Sequence, residues 1–286
     1  MPRAFSRWYN FRTKVWYRFL RREMRMRVVY QRKVKHPRLT VVFLHGISAT
    51  AATWKTTFRE FSNNPDLNGT RLIVLDLLGF GKSLQTNWQN YDYAEYNQAL
   101  DKTLKHLNVS GPVVLVGHSM GALIAADYAT NFEPSFGIAR LILVSPPVLL
   151  PAELAKLPDR VQTKSYSSLY RLAKTEPAVE VIANFVQRFS AFSSKYIKTP
   201  TFDRSMTNIV LNSKNFQTFL HLRAETLIIH GHFDPLVIRR NLKEVAERNR
   251  SHIRFVSVIG HHDISVGKRN KILIEIKKVL REIYGK

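Results

Sequence analysis

Apolar residues in this chain fall in short unbroken runs separated by stretches of helical spacing. LTVVFLHG from Leu39, TRLIVLD from Thr70, GPVVLVGHS from Gly111, IARLILVS from Ile138, ETLIIHG from Glu225 and HIRFVSVIG from His252 are dominated by valine, isoleucine and leucine. Runs of this length, apolar at odd and even positions alike, predict strands covered on both faces. A further strand is expected earlier, in MRVVYQRKV. Between them lie helical patterns at Thr50–Phe61, Tyr93–Leu107, Met120–Thr130, Val237–Arg248 and Lys268–Tyr284. The alternation predicts an α/β fold, with a mostly parallel central sheet, helices on both faces and right-handed crossovers.

The alternation lapses over 148–222, where PAELAKL, YSSLYRLA and AVEVIANFVQRF read as helices and no strand is expected. An all-helical block at that point reads as a cap inserted over the carboxyl edge of the sheet, where such folds bind ligands. The expected organisation is a core of residues 26–147 and 223–286, a helical cap of 148–222 and an N-terminal helix of 1–25.

That N-terminal helix has a character of its own. At 100° per residue Phe5, Trp8, Phe11, Val15, Trp16 and Phe19 share one side, while Arg3, Arg7, Lys14, Arg18, Arg21 and Arg25 gather opposite, with Arg12 and Arg22 intruding on the apolar side. Two readings stand: the helix lies in the interface of an anionic membrane, or its aromatic side packs on the body of the chain. The charge balance sharpens the choice, since 44 Lys+Arg against 21 Asp+Glu give a net +23 over 286 residues. Up to Arg38 there are thirteen basic residues and one acid, Glu23. No run approaches the roughly 18 apolar residues needed to span a bilayer, and arginines interrupt the N-terminal stretch where a secretory signal would be apolar. The absence of cysteine excludes disulfides, thiolate chemistry and cysteine-ligated zinc, and suits a reducing compartment. The expected location is the cytoplasm, with a peripheral place at the inner face of the membrane if the first reading of the helix holds.

The candidate chemistry centres on Gly117-His118-Ser119-Met120-Gly121, between an apolar strand and a helix. A G-x-S-x-G match arises by accident in about one chain in ten of this length. The strand-to-helix context makes it specific, because a tight turn there lifts the serine hydroxyl above the sheet edge and needs glycines where backbones approach closely. No H-E-x-x-H or comparable cluster marks a metal site, and Gly79 and Gly81 lack the spacing of a phosphate loop.

From Val28 onward the sequence resembles the α/β-hydrolase family. The resemblance rests on HGISATAATW, DLLGFGKS, GHSMG, HGHFDPLV and GHH in the family's order. It implies Ser119 as nucleophile, Asp234 as the acid that orients the base, and His261, in the family's Gly-His pair, as the base. His262 stands beside His261 as the alternative, a one-residue loop shift away, and Asp263 reads as a loop group. The backbone N–H groups of Ile47 and Met120 are implied as oxyanion donors. The expected activity is a cofactor-free, metal-free serine hydrolase cleaving a carboxylic ester of an apolar or lipid-like acyl substrate. Thioester, amide and carbon–carbon cleavage share this constellation, and a non-enzymatic binding protein of the same fold is the alternative of a different class. Nucleic acid is not an expected partner, because basic charge alone supplies no recognition module. Oligomeric state has no signal in the sequence.

Overall fold

The computed structural model describes residues 7–16, 24–132, 134–151, 153–154, 193–197 and 199–285. Seven strands form one sheet: β1 Arg27–Arg32, β2 Leu39–Leu44, β3 Thr70–Asp76, β4 Val113–His118, β5 Ile138–Val144, β6 Thr226–Gly231 and β7 Ile253–Val258. Their order is β1-β3-β2-β4-β5-β6-β7. All neighbouring pairs are parallel except β1 with β3.

Both faces of this sheet are covered, which is why the strands read as continuous apolar runs. Along β2, Val42 and Leu44 enter one core with α3 (Tyr93–His106) and α4 (Met120–Asn131). Val41 and Phe43 enter the other, with α2 (Lys55–Ser62) and the C-terminal helix Val266–Tyr284. Trp54, fully buried, packs its ring 5.1 Å from Phe43 in that second core. The chain crosses from β2 to β3 on one side and then to β4 on the other. The crossover direction therefore reverses between β2 and β4, which leaves a crevice at their carboxyl ends, the usual ligand position in open α/β sheets.

The helices stand close to their expected bounds, with two informative differences. The helix expected from Val237 begins at Arg239, because Ile238 is extended at φ −75°, ψ 102°. The one expected from Lys268 begins two residues earlier, at Val266, taking Gly267 into its first turn. PAELAKL, YSSLYRLA and AVEVIANFVQRF fall largely or wholly outside the described residues. Beyond them the chain is again helical, at Pro200–Ser205, in a π-helical turn at Met206–Val210, and at Asn215–Leu220. Of the N-terminal helix, α1 occupies Arg7–Lys14. Among the described residues no helix is long and apolar enough to cross a membrane.

The C-terminal helix is tied to the sheet by a charge cluster centred on the buried pair Arg140 and Glu275. Arg140 of β5, 4% exposed, pairs with Glu225 at 3.2 Å, Glu275 at 3.4 Å and Glu282, while Arg254 of β7 reaches Glu275 at 2.6 Å. Removing Arg140 would leave the buried Glu275 with the half-exposed Arg254 as its remaining cation, a large part of the cost of breaking a buried pair. Arg140→Leu should therefore destabilise the fold by about 3 kcal/mol, read as a lower urea midpoint at unchanged slope.

Candidate active site

The site begins with a backbone turn made in one residue. Ser119 still donates its N–H to Val144 O of β5 at 2.9 Å, as a strand residue would, while its own carbonyl accepts from Ala122 N–H at 2.9 Å as the first turn of α4. To do both it adopts φ 52°, ψ −120°, a conformation costing a non-glycine residue on the order of 1–3 kcal/mol. The flanking glycines are required by contact. A Cβ on Gly117 would stand 2.4 Å from Gly121 O, and one on Gly121 would stand 2.5 Å from His45 O. Ser48 and Ser145, just past the ends of β2 and β5, have positive φ as well. Strained positions thus gather at three neighbouring strand ends.

Across the crevice the loop after β2 lies against this turn, since a Cβ on Gly46 would meet Ser119 Cβ at 3.1 Å. His45 fixes that loop. Its Nδ1–H donates to Gly46 O at 2.8 Å and its Nε2 accepts Leu77 N–H at 3.0 Å, an arrangement that needs the neutral ring. Burial holds it there, pushing the imidazole down to about 4 against the raising effects of the Gly46 hydrogen bond and Asp76. Asp76 fixes the loops around it: it accepts from Ala51 N–H and Lys82 N–H, each at 2.7 Å. Ile47 follows Gly46 in a half-buried turn. Met120 is the first residue of α4, where an amide has no acceptor within its own helix. Both amides expected as oxyanion donors therefore belong to backbone bordering Ser119.

The imidazole beside Asp234 is that of His262. Its Nδ1 lies 2.9 Å from Asp234 Oδ2, and both side chains are buried. His261, expected in that role, is exposed instead, and its Nδ1 faces Phe233 O at 3.1 Å. The one-residue shift has a backbone cause. Gly260 takes φ +148°, turning the chain so that the side chain two residues on points inward. Gly231 lets β6 pass beneath, because a Cβ there would stand 2.2 Å from His261 O. Asp263 is exposed and contributes its carbonyl.

Asp234 is held ionised. Burial pushes its carboxyl up, but the charge and hydrogen bond of His262 outweigh that, aided by Ser145 and the Leu236 amide, and it stays well below the usual carboxylate range. His262 is anchored in turn through its main chain. The neighbour of Ser119, His118, donates Nε2–H to His262 O at 2.7 Å, with ring centroids 4.8 Å apart. Burial, then the neighbouring His262 and Lys268, keep the His118 ring far below its ordinary basicity. A neutral donor of this kind gives the histidine loop a fixed attachment one residue from the serine.

The residue that the sequence hides is Lys268. It is fully buried in the first turn of the C-terminal helix. Its ammonium donates to His261 O at 2.5 Å and Asp263 O at 2.8 Å, the carbonyls on either side of His262, and lies 3.3 Å from Ser145 Oγ. Nothing in one lysine among 44 basic residues sets it apart. His230 and His232 are structural neighbours of the acid loop, the first buried with its Nε2 3.4 Å from Val237 O.

Described residues of the block 148–222 touch these loops. Ser193 exchanges hydrogen bonds with Ser48, its amide at 2.7 Å and its carbonyl at 2.6 Å. Tyr196 accepts Gly81 N–H at 2.8 Å, and Thr201 occupies the space a Cβ on Gly79 would need.

Burial pushes the Lys268 ammonium down to about 8, against the raising effects of Asp234 and Asp263. In the unfolded chain a lysine keeps its proton to about 10.4. Between about pH 8 and about pH 10.4 the unfolded state therefore binds more protons, so this group's contribution to stability rises with pH and is lost as pH falls through the folded value. Relative to Lys268→Met, the wild-type chain should gain roughly 3 kcal/mol over that window, measured as the difference in urea unfolding free energy at successive pH values.

Residues 40–222 match the family described as the alpha/beta hydrolase fold. Among curated proteins, "Probable lysophospholipase BODYGUARD 2" of Arabidopsis thaliana is 32% identical over 133 residues, 46% of this chain and 26% of that protein. "Coelenterazine h 2-monooxygenase" of Renilla reniformis is 30% identical over 104 residues, 36% of this chain and 32% of that protein. The chain thus aligns with about a quarter to a third of the length of these relatives. Among solved structures, an esterase from Exiguobacterium antarcticum superposes with a TM-score of 0.67 at 18% identity, covering 91% of this chain and 100% of that one. A thermophilic esterase from Thermogutta terrifontis gives a TM-score of 0.62 at 18% identity, covering 91% and 94%. At these identities the two structures share the fold with this chain, and the family match over more than half of its length shows that the chain belongs to the alpha/beta hydrolase fold family.

Proposed function

We propose that the protein is a serine hydrolase cleaving carboxylic esters of apolar, lipid-like acyl groups through an acyl-enzyme. The observation that carries this reading is the buried Asp234–His262 hydrogen bond at 2.9 Å, attached through the His262 carbonyl to the residue preceding Ser119. Because Nδ1–H is committed to the carboxylate, Nε2 carries the lone pair and is the nitrogen available as a base.

In the proposed reaction Ser119 Oγ attacks the ester carbonyl carbon as its proton passes to His262 Nε2. The carbonyl electron pair moves onto oxygen, where the N–H groups of Ile47 and Met120 receive the negative charge, each donor contributing about a hundredfold in rate. Collapse breaks the bond to the alkoxy oxygen, which leaves as the alcohol with the Nε2 proton. Water, deprotonated by the same nitrogen, then attacks the acyl-enzyme and releases the acid, restoring Ser119. Asp234 stays ionised and stabilises the imidazolium while it exists. The lysophospholipases named among the relatives support an ester bond. They also support an apolar acyl group.

A fluorophosphonate probe should label the wild-type protein, and Ser119→Ala should lose both labelling and hydrolysis of short p-nitrophenyl esters. His262→Ala should lower kcat by about a thousandfold or more, whereas His261→Ala, which removes an exposed ring, should stay within about threefold of wild type. The reverse ranking of the two histidines would move the base to His261. Full ester turnover by Ser119→Ala would overturn the mechanism.

A further inference from the structure

The helix α1 is mounted with its polar side inward. Asn10, 6% exposed, accepts Asn87 N–H on Oδ1 at 3.0 Å, and Thr13 accepts the indole N–H of Trp88 at 3.0 Å while donating to Asn10 O. The aromatic side faces outward instead, with Trp8 67% and Phe11 66% exposed and Trp16 44% exposed. This reverses the arrangement of an ordinary surface helix, whose apolar stripe faces the core. Arg12 and Lys14 are both exposed on this helix, Arg12 within the aromatic strip and over the Trp8 ring at 4.7 Å. No acid occurs in the helix.

We propose that this face of α1 docks the protein on an anionic lipid bilayer, with Trp8 and Phe11 entering the headgroup–acyl boundary and Arg12 and Lys14 pairing with lipid phosphates. Three observations select that occupant. Aromatic side chains beside cations match the chemistry of the bilayer interface, which supplies both an apolar layer and negative charge. A second copy of this chain would bring +23 against +23, so that charge opposes self-association. Duplex nucleic acid would satisfy the cations yet leave the outward rings in water, because its surface reads through phosphate and groove contacts. The docking is independent of catalysis, since none of these residues belongs to the site around Ser119.

The test is sedimentation of the full-length protein with vesicles of phosphatidylcholine alone and of phosphatidylcholine mixed with phosphatidylglycerol, for the wild type and for the double variant Trp8→Ser with Phe11→Ser. The expected result is binding to the mixed vesicles, weaker binding to phosphatidylcholine alone, and a loss of about tenfold or more in the variant. Unchanged circular dichroism and ester turnover in the variant are expected, because the altered side chains are exposed. No binding to anionic vesicles would overturn the proposal, and so would equal binding by wild type and variant, which would assign the attraction to overall charge. Equal affinity for both vesicle types, a wild-type dimer abolished in the variant, or duplex DNA binding abolished by the same substitutions would each name a different occupant and overturn it as well.

Discussion

The hydrogen bond between His262 and Asp234 joins the loop after β7 to the loop after β6, and its 2.9 Å length depends on backbones that pass within contact of one another. Gly231 admits the carbonyl of His261, Gly260 supplies a turn at positive φ, and Phe233 N–H bonds Gly260 O at 3.0 Å. Two loops held this closely leave one register in which an imidazole meets the carboxylate. The register that forms turns His262 inward and His261 outward. The electrostatics depend on that geometry in turn, because a buried carboxylate is tolerable only with donors around it.

The rest of the constellation is built by the reversal of crossover direction between β2 and β4. It sets the loop of His45-Gly46 and the turn at Ser119 side by side, at the end of a sheet whose interior is apolar on both faces. Polar chemistry is thereby confined to a shallow layer. His45 and His118 are both buried and kept neutral, each using one nitrogen to hold a backbone carbonyl. They act as struts, and a proton gained by His45 would cost the bond its Nε2 accepts from Leu77 N–H.

How much of this the sequence discloses varies with the kind of constraint. Strands bounded by apolar runs are legible because burial on both faces leaves a composition signal that needs no partner to interpret, and β2, β4 and β6 lie where their runs predict. The glycine pattern at Gly117 and Gly121 is legible because close backbone contact excludes every other residue. The choice between His261 and His262 is not, since both are histidine and the difference lies in the dihedral angles of Gly260. Lys268 is equally opaque: a buried ammonium among carbonyls and a solvated lysine on a helix read alike in a chain this basic. The 100° plot of α1 identifies its two sides but not which is inward, because Asn10 and Thr13 win the contact with Asn87 and Trp88 through directional hydrogen bonds that periodicity does not encode.

The C-terminal helix carries Lys268 in its first turn and Glu275 and Glu282 further along, so its near end grips the loop of His262 while its remainder is bolted to β5 through Arg140. It is a lever with one arm at the imidazole and its fulcrum on the sheet. A substitution that loosened Glu275 or Glu282 from Arg140 would therefore free the same helix whose first turn steadies the loop of the imidazole.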